Sequence, residues 1–165
     1  MAETDIQSTL VSHLTDAVAM EQNVEQMLGG MISTTADPQM RARLEAHRDE
    51  TKAQQERLRE RLDAHGASES AMKSVAAKAG AAMKGMFDVV RDEKAGRNAR
   101  DGYATEHVEI AAYELLERVA RRAGDEATAA VARQNCAEER AMAQFFEDHW
   151  DAVAEQSLRE EGVLA

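Results

Sequence analysis

Residues 104–148 read ATEHVEIAAYELLERVARRAGDEATAAVARQNCAEERAMAQFFED, and this stretch decides the fold. Up to Arg122 it is a helical pattern. Glu106, Glu109, Tyr113 and Leu116 recur in steps of three and four, which keeps them on one side of a helix. Gly124 stops that pattern, since glycine takes the left-handed backbone that helix ends favour. Asp125 follows at once and is a good N-cap for a second helix, which runs through Val131, Met142, Phe145 and Val153. Long helices joined by so short a turn pack side by side and antiparallel.

The same arrangement occurs upstream. A first helix over about 5–28 carries the stripe Leu10, Leu14, Ala17, Val24, Leu28 and Met31, with Gly29 and Gly30 expected to end it. A second, over about 38–65, starts at Asp37 with Pro38 in the first turn, where its missing N–H costs nothing. Its stripe includes Met40, Leu44, Leu58 and Leu62. The third helix spans about 97–122 and the fourth about 126–158. Residues 67–96 form a connection of about thirty residues, diluted by Gly80 and Gly85 and read as one or two short helices. Two antiparallel hairpins joined by a long, partly helical crossover give an all-α, ferritin-like four-helix bundle, expected as one domain over 1–165.

An internal repeat supports this reading. Shifting the first half by 88 positions, the difference between 109 and 21, places Glu21 on Glu109, Leu28 on Leu116 and Asp37 on Asp125. The same shift places His47 on Asn135, Glu50 on Glu138 and Leu58 on Phe146.

Composition narrows the function. The 165 residues hold 31 acids against 20 bases, a formal charge of −11, which disfavours nucleic acid and anionic membranes as partners. A single cysteine excludes an intramolecular disulfide framework, and Cys136 reads as a packing residue. The first residues lack the basic start and apolar run of a secretory signal, and no stretch approaches the roughly 20 apolar residues of a membrane span, so a cytoplasmic setting is expected. Phosphate loops, Cys-His zinc spacings and nucleophile elbows are absent.

Against this background, some glutamates stand where a core seam expects leucine. The first seam, 10-14-17-21-24-28, meets Glu21. The second, 40-44-47-51-54-58, meets His47, Thr51 and Gln54, with Glu50 on the same inner edge. The third, 106-109-113-116, carries Glu106 and Glu109. The fourth, stepped 131-135-138-142-145, carries Asn135 and Glu138. Desolvated carboxylates repel one another and need counter-charge. Two divalent cations of the hard, oxygen-preferring kind would supply it. The candidate metal ligands are thus Glu21, Glu50, Glu109 and Glu138, with Glu106, His47 or Gln54 completing the set.

The pattern departs from a full dinuclear bundle, in which two helices carry Glu-x-x-His. Here Glu50 leads to Ala53 and Glu138 to Ala141; in the other phase Thr51 leads to Gln54 and Glu139 to Met142. His47 and Glu50, three apart, share a face, whereas His107 falls on the outer or lateral face. Tyr113 is either a core tyrosine or a residue that orients a ligand carboxylate.

The segments EHVEIAAYELL (106–116) and EAHRDETKAQQERL (45–58), the AMKGM piece of the crossover and the paired Glu138 and Glu139 resemble the YciE-type ferritin-like family of bacterial bundles, over about residues 8–155. The resemblance implies an all-α bundle, often dimeric and tied to stress physiology. Glu106-x-x-Glu109 is similar to the double glutamate on the third helix of rubrerythrins, where such residues ligate a di-iron centre that reduces peroxide. With no four-cysteine rubredoxin module in the chain, an external reductant would be the partner.

The expected function is therefore a di-metal carboxylate protein, with dinuclear iron or manganese between the four helices, handling O₂ or peroxide. The competing expectation is a metal-free bundle acting as a dimeric structural or interaction module, with Met72, Met83 and Met86 as an adaptable contact face. A homodimer is expected in either case, with no nucleic-acid or membrane partner.

Overall fold

The computed structural model describes residues 5–67 and 94–164. The described residues form five helices: α1 Ile6–Thr34, α2 Pro38–Ala64, α3 Ala95–Arg122, α4 Glu126–Asp148 and α5 Trp150–Glu160. Most of the expected crossover, with Met72, Met83 and Met86, lies outside them.

The hairpin signals act as their chemistry predicts. Asp37 Oδ1 accepts the Met40 N–H at 2.7 Å, with Pro38 opening α2. Asp125 Oδ1 accepts the Thr128 N–H at 2.9 Å and opens α4. Gly124 sits at φ 76, so the Asp125 N–H reaches back to the Ala120 carbonyl at 2.9 Å and closes α3. Asp125 also receives Arg61 at 3.2 Å and His65 Nε2 at 2.7 Å from the end of α2. Asp125 thus ties three helix ends together, α2 and α4 through its carboxylate and α3 through its backbone N–H.

Helix directions follow from side-chain bonds between elements. Gln7 near the start of α1 bonds the Ala123 carbonyl after α3, and Asn98 near the start of α3 bonds Thr34 at the end of α1. Arg61 meets Asp125, while Gln39 meets His149. Helix α1 is therefore antiparallel to α2 and α3, and α4 is antiparallel to α2 and α3. Each of α1 and α4 packs on both α2 and α3. Helices α2 and α3 run parallel across the diagonal, as a long crossover requires. This is an all-α, ferritin-like four-helix bundle.

Two boundaries differ from the sequence expectation. Gly29 and Gly30 do not end α1, which continues to Thr34. Each costs about 1 kcal/mol against alanine in a helix, but Met31 beyond them is buried with Leu28, Leu44 and Phe146. The hydroxyls of Ser33, Thr34 and Thr35 also cover the last-turn carbonyls of Gly30 and Met31. Packing beyond the glycines thus carries the helix through them.

The expected fourth helix is broken at His149. Its Nδ1 meets the Phe145 carbonyl at 2.7 Å, the oxygen its own backbone N–H would take in an unbroken helix. That N–H goes to the Phe146 carbonyl instead. Helix α5 then turns onto α3 and places Val153 against the end of the core.

The core is divided. One apolar cluster contains Leu10, Leu14, Leu58, Leu62, Tyr113, Leu116, Ala132 and Cys136. The other contains Val24, Leu28, Met31, Leu44, Met142, Phe146 and Val153. Between them runs a buried polar layer of Glu21, His47, Thr51, Gln54, Glu106, Glu109, Asn135 and Glu139. No described helix is long and apolar enough to cross a membrane.

Candidate metal centre

Three of the four seams match the buried faces. Helix α1 buries Glu21 between Ala17 and Val24, α2 buries His47, Thr51 and Gln54, and α3 buries Glu106, Glu109 and Tyr113. The fourth seam is out of phase. Helix α4 buries Thr128, Ala132, Asn135, Glu139, Met142 and Phe146, so the inward carboxylate is Glu139 rather than Glu138. Positions three and four beyond Asn135 lie on opposite flanks of one face, and only the continuing stripe decides between them. The alanines at 129 and 132 are the small residues that fix this phase.

Glu50 and Glu138 therefore do not join the cluster. Their side chains are 37% and 25% exposed, and both sit at the bundle edge against arginines. Glu50 Oε2 meets Arg43 at 3.1 Å, and Glu138 pairs with Arg57. The 88-residue repeat had matched these two edge residues to each other. The inward counterparts at that level are Thr51 and Glu139. His107 is exposed and lies edge-on to Tyr103, with ring centres 4.5 Å apart.

His47 is the hub of the layer. Its Nδ1 meets Glu50 Oε2 at 3.0 Å, and its Nε2 lies 3.3 Å from Glu106 Oε2 and 3.4 Å from Glu139 Oε2. Nδ1 giving its proton to a carboxylate while Nε2 faces inward is the orientation of a metal-ligating histidine. Glu50 thus orients the imidazole from the edge. One ligand atom from each of His47, Glu106, Glu109 and Glu139 lies within 4.8 Å of the others.

The remaining members pin the surroundings. Gln54 donates its amide to Glu139 and, at 3.0 Å, to Glu138. The Tyr113 hydroxyl donates to Glu21 Oε1, and Asn135 Nδ2 donates to the same hydroxyl oxygen at 3.0 Å. Arg57 Nε donates to Asn135 Oδ1 at 2.9 Å.

Charge in the layer is unbalanced. Burial pushes Glu139 up to about 10, helped by Glu106 and Glu21. Burial also drives Glu109 well above the usual carboxylate range. Glu21 rises to about 8 by burial, against the opposing Tyr113 hydrogen bond. Burial alone would lower His47, but the Glu106 charge and the contacts with Glu106 and Glu50 outweigh it and raise the imidazole to about 10.

These groups fit a cation better than they fit one another. Among the described residues, both oxygens of Glu106, both of Glu109, Glu139 Oε2 and His47 Nε2 are buried without a hydrogen-bond partner of good geometry. Buried polar atoms are almost always satisfied, so such a set converging on one point is a ready ligand shell. Three carboxylates and one imidazole suit iron(II) or manganese(II).

A profile of the family designated domain of unknown function DUF892 matches residues 5–159. The chain belongs to the DUF892 family. Among solved structures, a protein from Xanthomonas campestris pv. campestris is 26% identical over 96% of this chain and 99% of its own, with a TM-score of 0.79. YcfI from Rhodopseudomonas palustris is 22% identical over 87% and 93%, with a TM-score of 0.69. The E. coli stress protein YciF is 19% identical over 93% and 98%, with a TM-score of 0.70. At those identities, YcfI and YciF speak for the fold alone.

Proposed function

We propose that this chain is a stress-related, ferritin-like metal protein that holds iron or manganese between its four helices, bound by His47, Glu106, Glu109 and Glu139. The observation that carries the reading is the set of buried, unpartnered ligand atoms on three helices, all facing one point between two apolar clusters. A purely structural polar layer satisfies its own donors and acceptors. This one leaves Glu106 and Glu109 without a well-formed hydrogen bond among the described residues.

Iron or manganese in such a site supplies redox chemistry toward O₂ or peroxide. The chain's part is positional. Glu50 holds His47 by Nδ1, and Gln54 holds Glu139. Leu58 and Tyr113 on one side, and Met142 and Phe146 on the other, exclude bulk water from the layer. The stress association rests on the likeness to YciF, described as a stress protein. Electrons would come from an external reductant, since the chain has a single cysteine.

The test is metal analysis of protein produced with added iron or manganese and purified without chelator. A full equivalent or more per chain supports the reading. Metal far below one equivalent, with no uptake on reloading, contradicts it and favours the metal-free module.

A further inference from the structure

The donor set around the polar layer is lopsided. We propose that each chain takes a single divalent cation rather than a pair, with Tyr113 holding Glu21 out of its coordination shell. This rests on the metal-binding reading above and specifies it.

A dinuclear carboxylate bundle draws one glutamate from each of two helices and Glu-x-x-His from each of the other two. Here Glu21 on α1 and Glu109 on α3 are the single glutamates. Helix α4 offers Glu139-x-x-Met142 and α2 offers Thr51-x-x-Gln54, and all four of these side chains are buried in the layer or at its border. One carboxylate and two imidazoles of the six-residue set are therefore replaced. The Thr51 hydroxyl is turned to the His47 carbonyl at 3.0 Å. Met142 packs within the apolar cluster of Val24, Leu28 and Phe146, and its thioether is a soft donor unsuited to a hard cation. Gln54 spends its amide hydrogens on Glu138 and Glu139, and its buried Oε1, without a partner among the described residues, is a neutral amide oxygen where the pattern has an imidazole.

Two residues outside that six-residue pattern, His47 and Glu106, converge instead with Glu109 and Glu139. Among the described residues these four form the one group with ligand atoms mutually within 4.8 Å, and Glu21 is not in it. Glu21 is anchored by a relay from the bundle edge: Arg57 to Asn135, Asn135 to Tyr113, and Tyr113 to Glu21 Oε1. Among the described residues its Oε2 has no partner, but no second imidazole stands in the layer to complete another cation site. The arrangement is four donors for one ion, with the fourth carboxylate, Glu21, withheld.

Manganese(II) distinguishes the cases, because an isolated ion and a coupled pair give different electron paramagnetic resonance spectra. Metal-free full-length protein is dialysed against Mn²⁺, the bound metal is counted, and the spectrum is recorded. The expected result is one equivalent with an isolated-ion spectrum. Glu21→Gln should keep that equivalent with affinity within about threefold, while Glu139→Gln should lose about tenfold or more, at least what an outer partner of a ligand is worth. Two equivalents with a coupled spectrum in the unaltered chain would overturn the single-cation assignment and leave metal binding standing. So would a loss in Glu21→Gln equal to that in Glu139→Gln. No bound Mn²⁺ at all would overturn the metal-binding reading itself.

Discussion

The Tyr113 hydroxyl donates to the Glu21 carboxylate from α3 to α1, with both side chains fully buried. Asn135 donates to the same hydroxyl from α4, so three helices meet on one oxygen. Tyr113→Phe deletes that oxygen and leaves Glu21 and Asn135 without it. Stranding buried polar groups costs about 1–3 kcal/mol. Unfolding midpoints of chains this size fall by about 2–4 °C per kcal/mol. Thermal unfolding of the metal-free variant should show that drop, and an unchanged midpoint would mean the bond contributes nothing.

The glycines of α1 and α3 should respond oppositely to alanine. Among the described residues a Cβ at Gly29 or Gly30 meets nothing within 4 Å, and both positions are helical. Each substitution should stabilise by about 0.5–1 kcal/mol. A Cβ at Gly102 would stand 2.5 Å from Phe146 Cζ and 3.0 Å from Met31 Cε. Phe146 is buried and cannot swing away, so an overpacking cost of about 1–3 kcal/mol outweighs the helical gain. Gly102→Ala should unfold at lower denaturant than the parent and Gly29→Ala at higher. A destabilised Gly29→Ala would argue that α1 ends where the glycines suggest.

Acid sensitivity should centre on Asp125. Burial would raise this carboxyl, but the Thr128 hydroxyl and N–H, with His65 and Arg61, hold it well below the usual range. A depressed folded value means stability that is fully present above the unfolded value of about 3.9 and is lost as pH falls below it. Asp125→Asn keeps a capping side chain and loses the charge. The variant should be less stable than the parent at pH 7, with the gap narrowing progressively as pH falls from about 4 toward the depressed folded value. A gap constant across that range would assign the interaction to hydrogen bonding alone.

The architecture was legible in the sequence because its signals are local. Asp37 with Pro38, and Gly124 with Asp125, set the turns by backbone chemistry that tertiary context does not override. The seams of α1 and α2 were legible for the same reason, with large apolar residues flanking the polar positions on both sides, and in α3 Tyr113 and Leu116 continue the stripe beyond the two glutamates. The α4 seam was not. Its inward residues before Met142 are Thr128, Ala132 and Asn135, so small and polar side chains left Glu138 and Glu139 indistinguishable by periodicity. Burial of the neighbouring Ala132 and Phe146 settles it for Glu139. The repeat misled at the same spot, because Glu50 and Glu138 match as edge residues bound to arginines. The break at His149 depends on a side chain capturing a backbone carbonyl, which composition does not reveal.

The adjacent pair Glu138 and Glu139 offers the most direct test of a metal held by the polar layer. Thermal unfolding of metal-free parent, Glu138→Gln and Glu139→Gln is compared with and without Mn²⁺ at about a hundredfold excess over the dissociation constant. Such an excess stabilises the folded state by about 2.7 kcal/mol, which raises the midpoint by roughly 5–10 °C. The parent and Glu138→Gln should show that rise, reversed by chelator, and Glu139→Gln should show little of it. A full rise in Glu139→Gln, or none in the parent, would contradict the account.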